Sequence, residues 1–595
     1  MLYSRSILFV CFLGTLVACG GGGGGESSAP APAPTPAPQP VLDLVADAGP
    51  NQAVDEGDDV ILSGDGSKNA DSFSWQQTAG PNVQLNNSNS STPTFTAPSV
   101  SGETVLTFEL TVSGDSGNSS TDSVRIVVIF GNSASLSRPA DPAVLRGEDL
   151  PDLKGTAPDS LVGFRYEGGW VQIPIQVDER DVRSYGEIYD FLDHWSLIGD
   201  GGAGPLYPLL EEFYTDPDTY MGPDTDPMLD DNDEIVFMAR DTGSIAAAIA
   251  DPPGVIAGSR AEVRVSDPLD GTTGYVYLFQ SAGGLDPSAG QSYVDYQFRL
   301  QSGDYLDTFG LLGVNLELST MSSQFYERTF TSRWLSEVLR ITAPGASGVD
   351  ILDRQMLRIE DTSGLCTIGD TEEAFEELEG AFVANKSGPV RGIRSHLGAR
   401  SGSAIQQIHF FYEQREDDIL HWRVHATPGF LDLVDYDPAA IGMTYFNNNN
   451  PAGVLVDGVP DSVTPGILQW ELITGFHGSL VTIQDVVSST QNWERCRNRT
   501  AANPEGDCEI VIPPISSYYL DDDSFPAQLC SDPGDVAIGT SGQTVAEQPD
   551  TDPRTTSFTL AFVSSRYYGP PGWAVADAEQ LRTFSENPLV TTVAD

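Results

Sequence analysis

The stretch Leu106-Thr-Phe-Glu-Leu-Thr-Val112 places an apolar side chain at every second position. Such alternation predicts a β-strand with one buried face. Val60 and Leu62 alternate in the same way, and turn residues recur between the apolar runs from residue 46 to about 129. Several short alternating strands separated by turns are typical of a β-sandwich. The chain is therefore predicted to begin its folded part with an all-β module.

Residues 46–130 resemble the PKD-type Ig-like domains of bacterial surface proteins. The resemblance rests on the run Ser74-Trp-Gln-Gln-Thr-Ala-Gly-Pro81 and on Phe95-Thr-Ala-Pro98. It implies an Ig-like sandwich of the kind that acts as a spacer or adhesive unit beside catalytic or binding domains. Trp75 takes the position of the core tryptophan of such a sandwich, so we expect it in the core rather than stacked on a ligand.

The amino terminus carries an export signal. A basic start and the apolar run Ile7–Leu16 form a segment that is too short to span a bilayer. The following Leu16-Val-Ala-Cys19 resembles the lipobox of bacterial lipoproteins, which implies removal of the signal peptide, residues 1–18, and lipidation of Cys19. Gly20 resembles the outer-membrane sorting pattern, which predicts an exported lipoprotein at the outer membrane or cell surface. An ordinary signal peptide with an incidental cysteine is the alternative.

Residues 19–45 form a linker. Six glycines occupy positions 20–25, and proline recurs at every second position from Pro30 to Pro40. Such a proline run favours an extended polyproline II helix, and the glycines supply a flexible joint. The linker is expected to hold the folded body away from the lipid.

Composition narrows the functional classes. The formal charge is −55, which repels nucleic acid and anionic lipid, so we expect no nucleic-acid partner and no membrane contact except the lipid anchor. The same charge favours cation binding. Sixty glycines and 41 prolines, with few helical patterns, place the chain among all-β proteins. The oligomeric state stays open.

Beyond the PKD-type unit we expect a β-rich domain with an acidic loop over residues 136–270 and a large β-sandwich domain over residues 271–595. The boundary is placed at the turn-rich Asp267–Gly274. Few short helices are expected: Val575–Phe584 is the best candidate, and Glu372–Phe382 and Trp334–Leu339 are others. Two motifs, Trp170–Asp181 and Asp230–Phe237, are faintly similar to uncharacterised secreted bacterial proteins from polysaccharide-degrading loci.

The acidic loop is a candidate calcium site. Many carboxylates lie in this Pro-containing segment, and hard oxygen ligands on a flexible loop suit calcium. The spacing does not supply the glycine and glutamate of an EF-hand, and a solvated acidic loop is the alternative. The candidate ligands are Asp224, Asp226, Asp230, Asp231 and Asp233.

A second candidate site combines histidine, arginine and tyrosine. If Arg415–Asp418 is a hairpin turn in which Gln414 faces Ile419, one face of the hairpin carries the predicted glycan-binding residues. Such a face suits sugars, especially uronates, because arginine pairs with the carboxylate group of a uronate. Four residues span about 13 Å in a strand, which argues against a shared zinc ion on the two histidines. Burial between sheets is the alternative. The predicted residues are Tyr412, His421, Arg423 and His425.

Four cysteines of the body predict two disulfides in an exported chain. Three pairings are open. We favour Cys496 with Cys508, which closes a short loop, and Cys366 with Cys530.

Standard nucleophile, phosphate-loop and zinc-protease motifs are absent from the sequence. Catalytic residues stay unknown, because the carboxylate pair of a glycosidase converges from distant strands. The favoured hypothesis is a cell-surface lipoprotein whose β-rich domain binds an extracellular glycan or polymer. The alternatives are a calcium-dependent polysaccharide lyase or hydrolase and a non-catalytic structural surface protein.

Overall fold

The computed structural model describes most of the chain after residue 43. The signal peptide, Cys19 and nearly all of the linker lie outside the described residues. The described ranges are 44–55, 59–98, 104–114, 117–129, 136–184, 210–219, 221–246, 249–300, 317–331, 335–359, 381–397, 405–422, 427–459, 461, 463–488, 495–497, 507–509, 515–520, 539–548 and 560–594.

The first module is a two-sheet β unit. Its strands are β1 (Gln52–Asp55), β2 (Asp59–Ile61), β3 (Ser72–Ala79), β4 (Thr94–Thr96), β5 (Thr104–Ser113) and β6 (Ser119–Ile129). The sheet order is β1-β6-β5-β3, with β2 and β4 as a separate pair. The alternating side chains of β5 are fully buried, and Trp75 lies opposite Leu110 with only 4% of its surface exposed. The predicted sandwich and the core position of Trp75 are confirmed.

The second region is also built from strands. They are β7 (Pro142–Arg146), β8 (Leu161–Tyr166), β9 (Trp170–Ile173), β10 (Gln176–Asp178), β11 (Arg180–Ser184), β12 (Leu210–Tyr214), β13 (Glu234–Met238), β14 (Ala261–Ser266) and β15 (Thr273–Gln280). They form the sheet β10-β13-β7, the pair β11-β12, and most of a five-stranded sheet. The apolar core lies between these sheets and contains Leu145, Ile235 and Val263.

The third region contains the remaining elements. They are β16 (Val294–Gln297), β17 (Ser319–Ser323), β18 (Tyr326–Phe330), β19 (Ser336–Ile341), β20 (Leu352–Ile359), β21 (Ala381–Ser387), β22 (Gly392–Leu397), β23 (Gln406–Phe411), β24 (Arg415–Trp422), β25 (Thr427–Tyr436), β26 (Thr444–Asn447), β27 (Asn450–Leu455), β28 (Trp470–Gly475), β29 (Gly478–Ser488), β30 (Arg495–Arg497), β31 (Asp507–Glu509), β32 (Ile515–Leu520), β33 (Thr540–Gln548), β34 (Leu560–Gly569), α1 (Val575–Glu586) and β35 (Val590–Val593). The described residues also form 3-10 turns at Gly147–Asp149, Pro158–Ser160, Ala239–Asp241 and Pro438–Ala440.

The largest sheet has nine strands in the order β21-β22-β23-β24-β34-β29-β28-β26-β27. A four-stranded sheet, β20-β25-β33-β32, and another, β16-β17-β18-β19, accompany it. Side chains along β24 alternate between buried and half-buried, as expected for a strand whose two faces differ. This sheet positions the candidate site.

The boundary that we expected near residue 270 is wrong. β14 and β15 pair antiparallel, with Ser266 opposite Thr273, so the turn-rich segment between them is a hairpin turn inside one sheet. The same sheet has the order β35-β14-β15-β8-β9 and therefore includes the last strand of the chain. β14 pairs with β35, which lies roughly 300 residues later in the sequence. This pairing joins the two regions that we predicted to be separate domains.

Two of the three helix predictions can be compared with the structure. The helix predicted after the Pro-Pro-Gly segment is confirmed as α1. The helix predicted at Trp334–Leu339 is wrong over its described part, because Ser336–Ile341 is a strand paired with β18. Tertiary pairing outweighs local helix propensity here. The third candidate lies outside the described residues except for its last two, which begin β21.

Candidate functional site

A cavity of about 920 Å³ lies between the nine-stranded sheet and the second region. Strands β23, β24, β29 and β34 form one wall, and β7, β11, β12 and β13 form the other. The end of α1 and the start of β35 close one side. Elements from both halves of the chain therefore build a single concave site.

The floor of the cavity is one face of the β23–β24 hairpin. Ile408 pairs with Ile419, and Gln406 pairs with His421. The predicted turn at Arg415–Asp418 is wrong: these residues belong to β24, and the main-chain amide of Tyr412 bonds to the carbonyl of Arg415 across a tighter turn. The register moves by an even number of residues, so the same side chains still share a face.

The predicted glycan-binding residues divide into two groups. Tyr412 and His421 both line the cavity. Tyr412 is buried, and its hydroxyl accepts a hydrogen bond from Arg391 Nη1 at 3.3 Å. Burial raises the pKa of Tyr412. Arg423 and His425 lie outside the described residues.

His421 is half-buried at the cavity wall. Burial lowers the pKa of His421 to about 4, so the imidazole is neutral at neutral pH. A neutral imidazole offers one hydrogen-bond donor and one acceptor. That pair suits a hydroxyl group, which also donates and accepts.

One end of the cavity holds a chain of ion pairs. Asp141 accepts from Arg138 Nε at 2.6 Å through one oxygen and from Arg415 Nη1 at 3.2 Å through the other. Arg415 Nε also bonds to Asp417 at 2.8 Å. Ser565 donates to the same oxygen of Asp417 at 2.7 Å. Asp141 thus ties the second region to β24.

The other end holds a second cluster around Arg391. This guanidinium bonds to Asp178 at 2.8 Å and to Glu234 at 2.6 Å. Glu234 also accepts from the hydroxyl of Tyr214 at 2.8 Å and from Arg180 at 3.1 Å. Every arginine among the described lining residues is therefore paired with at least one carboxylate.

The ion pairs of the lining arginines limit which ligands the cavity can bind. A guanidinium that already binds carboxylates has less positive potential left for an acidic ligand. The lining also contains Glu211, whose pKa burial raises to about 7, and apolar side chains such as Ile408, Ile419 and Val563. The cavity therefore combines fixed hydrogen-bonding groups with apolar surface and carries no unbalanced positive charge.

The acidic loop lies at the start of β13. Asp233 is fully buried and accepts main-chain amides from Arg180 and Asp230 at 2.9 Å each, so it shapes the loop. Asp231 is exposed and pairs with Lys154. Within the described part of the chain, no three histidine, cysteine, aspartate or glutamate side chains are grouped so as to hold a metal ion. The calcium site stays a prediction.

The main chains of Cys496 and Cys508 stand directly opposite each other in the β30–β31 pair. Opposed positions of an antiparallel pair lie within disulfide range when their side chains face each other. The Cys496–Cys508 bond stays a prediction, and Cys366 and Cys530 lie outside the described residues. Among the described residues, no helix is long and apolar enough to cross a bilayer.

Sequence reasoning missed most of the charged lining. Arg138, Asp141, Arg391 and Glu211 come from separate segments, and none belongs to a recognisable motif. The sequence predicts a turn at Arg415, because the first half of β24, Arg415–Asp418, is entirely charged and shows no apolar alternation.

Residues 48–128 match the family model of a PKD domain. A solved PKD domain from the KIAA 1837 protein is 37% identical, with a TM-score of 0.13, and the match covers 14% of this chain and 84% of that one. The chain therefore belongs to the PKD-domain proteins through this module. No curated protein matches the chain.

Other solved structures are similar only at low identity. A 2,6-sialyltransferase from a Photobacterium species is 21% identical over 14% of this chain and 17% of that chain, with a TM-score of 0.13. A glycosyl hydrolase family 38 protein from Enterococcus faecalis is 8% identical over 77% of this chain and 46% of that chain, with a TM-score of 0.34. This chain spans less than half of either protein, and outside the PKD domain the similarity is faint.

Proposed function

We propose that this protein is a cell-surface lipoprotein that binds a neutral extracellular glycan in the cavity between β23–β24 and β12. The observation that supports this proposal is the cavity itself: its volume of about 920 Å³ lies within the usual range of ligand pockets. Paired arginines and carboxylates offer fixed donors and acceptors to hydroxyl groups. The apolar side chains of Ile408, Ile419 and Val563 suit the C–H faces of sugar rings.

A neutral glycan is favoured over the uronates suggested by the sequence. Arg138, Arg391 and Arg415 already bind carboxylates, so a uronate would have to displace one of them. Displacement would leave a buried carboxylate without its partner, which costs about 3–5 kcal/mol. A hydroxyl group can join the existing network without that loss.

Binding is tested with the full chain by calorimetric titration against neutral and uronate polysaccharides. Val487 lines the cavity and is 54% exposed, so Val487→Trp should obstruct the site at little cost in folding. Val459 is 61% exposed and is not among the cavity-lining residues, so Val459→Trp is the matched control. We expect Val487→Trp alone to weaken binding at least tenfold. Equal binding by both variants, binding of uronates only, or no binding by the unmodified protein would contradict the proposal.

An enzyme acting on polysaccharide is the second candidate. Glu211 favours it, because burial raises its pKa to about 7, and a carboxyl group that is partly protonated at neutral pH suits general acid catalysis. If the unmodified protein forms new reducing ends or unsaturated products and Glu211→Gln does not, the protein is an enzyme rather than a binding protein. Glycan binding without product would support the first proposal.

Surface display is part of the same proposal and rests on the lipobox-like tetrapeptide. Lipid chains on Cys19 would hold the protein durably on a membrane. We expect Cys19→Ser to move the protein from the membrane fraction to the soluble fraction of the cells. An unchanged distribution would contradict lipid anchoring while leaving the binding proposal intact.

A further inference from the structure

Both ion-pair clusters of the cavity lie along the edge of its floor where β23 turns into β24. Gly392 pairs with Phe411 in the antiparallel β22–β23 pair. The next residues outward, Arg391 and Tyr412, therefore lie side by side, and Arg391 Nη1 is 3.3 Å from the Tyr412 hydroxyl. The main-chain amide of Tyr412 bonds to the carbonyl of Arg415, the first residue of β24. The clusters of Arg391 and Arg415 thus stand at the two ends of one edge, which we call the inner edge.

The ion pairs of the inner edge join the two walls of the cavity. Arg415 binds Asp141 of the second region at 3.2 Å. Arg391 binds Asp178 and Glu234 of the same region at 2.8 Å and 2.6 Å, and the side chains of Arg391 and Asp178 are almost fully buried. Separation of the walls here would leave buried charges without partners, which is strongly unfavourable. The inner edge is therefore sealed in the folded protein.

Two further connections close the sides of the cavity. On the side of β29, α1 packs against β28 and β29, and the end of α1 lines the cavity. On the side of β23, the ring of Tyr214 on β12 packs edge-on against that of Phe410, with 5.7 Å between the ring centroids. The loop after β12 is also joined to β21, because Asp216 Oδ2 accepts the main-chain amide of Asn385 at 2.8 Å.

The floor becomes exposed along β29, away from the inner edge. Alternate residues of β29 line the cavity, and their exposure rises in this direction: Ile483 is 4% exposed, Asp485 is exposed, and Val487 is 54% exposed. At the β23 end of the same outer edge, Gln406 is only 5% exposed. Within the part of the chain that the structure describes, the cavity is therefore a pocket that is entered beside the end of β29.

We propose that this pocket binds the end of a neutral glycan chain, or a free short oligosaccharide, rather than a segment in the middle of a long chain. Chain-end binding presupposes the glycan binding proposed above and specifies which part of the glycan enters. An internal segment must continue out of the site in two directions, so it needs a groove that is open at both ends. A pocket that is closed at its inner edge and on both sides admits a chain only by its end.

The chemistry of the floor agrees with this direction of entry. Ile419 and Val563 pair in the middle of the floor and offer an apolar surface to a sugar ring. Asp417 and Ser565 pair one step nearer the inner edge and are hydrogen-bonded to each other at 2.7 Å. A terminal sugar carries a free hydroxyl at the position that an internal sugar uses for its linkage. Polar groups at the closed end of the pocket can bond to that hydroxyl.

The test measures how binding depends on chain length. Pullulan, linear arabinan and mixed-linkage β-glucan, together with oligosaccharides cut from each, are titrated by calorimetry into the full chain. We expect one protein to bind per glycan chain at every length. The affinity per mole of chain should stop rising once an oligosaccharide fills the pocket. If internal segments bound, the number of proteins bound per chain would grow with length.

Two variants locate the binding that is measured. Val487→Trp obstructs the entrance and should weaken the binding of polymers and of oligosaccharides at least tenfold, whereas Val459→Trp should change neither. A number of bound proteins that rises with chain length, or binding of polymers but not of their oligosaccharides, would overturn chain-end binding and leave glycan binding intact. No binding of any of these glycans would overturn both proposals.

Discussion

Arg415 Nη1 donates a hydrogen bond to Asp141 Oδ1 at 3.2 Å across 274 residues of sequence. The Asp141 side chain is 6% exposed and that of Arg415 is 17% exposed. Asp141 also holds Arg138, which reaches the end of α1. The nine-stranded sheet, the second region and the carboxyl-terminal helix therefore meet at one carboxylate.

Asp141→Ala should lower the free energy of unfolding by about 3 kcal/mol, because it leaves two largely buried guanidinium groups without a shared partner. Chemical denaturation followed by tryptophan fluorescence measures the change. Glu586→Ala is the control: it breaks the exposed pair with Arg582 and should cost less than about 1 kcal/mol. Equal effects of the two variants would show that Asp141 is not a central contact.

Arg138→Met should loosen the end of the chain. Arg138 donates to the carbonyl oxygens of Phe584 at 2.8 Å and Asn587 at 2.6 Å, which holds the carboxyl end of α1 against the second region. We expect faster amide hydrogen exchange over residues 584–593, measured by mass spectrometry. Arg582→Met, which removes the pair with Glu586 within α1, should leave exchange in β35 unchanged. Unaltered exchange in Arg138→Met would refute the role of this contact.

Gly147→Ala should displace the acidic loop. A Cβ atom at Gly147 would lie 1.7 Å from the main-chain oxygen of Asp230, so the loop must move. We expect a loss of about 1–3 kcal/mol, typical of overpacking, and weaker calcium binding if the loop binds this ion. Gly169→Ala, with open space around the added atom, is the control for thermal melting. A Tm equal to that of the control would contradict the close approach.

Glu471 should make stability depend on pH. Burial raises its pKa to about 7 from an ordinary value of 4.5, so the folded state holds a proton that the unfolded state releases. The stabilisation is present below about pH 4.5 and is lost as pH rises through 7, with a total of about 3 kcal/mol.

Glu471→Gln keeps a hydrogen-bonding group near Tyr445 and removes the titration. Melting temperatures at pH 5 and pH 7.5 should therefore differ less in the variant than in the unmodified protein. Comparison of the two proteins isolates Glu471 from the other groups that titrate in this range. The same pH dependence in both would rule Glu471 out as its source.

Local alternation was sufficient for β5 and for the face that Tyr412 and His421 share. The pattern Leu106–Val112 predicted β5 and the first module, and the faces of Tyr412 and His421 were predicted despite a misplaced turn. A side chain changes face only when the register shifts by an odd number of residues, and this register shifted by an even one. The prediction of a domain boundary near residue 270 failed, because a turn-rich sequence between two domains has the same composition as one inside a hairpin.

By itself, the sequence determined the all-β class, the PKD module and which side chains share a face, because these depend on neighbours along the chain. Only the tertiary structure decided that β35 pairs with β14, that Asp141 joins Arg138 to Arg415, and that the cavity's arginines are already paired. These contacts join residues far apart in sequence, and each charge has many alternative partners among 85 acidic residues. Which partner it meets is set by the packing of whole sheets rather than by local spacing.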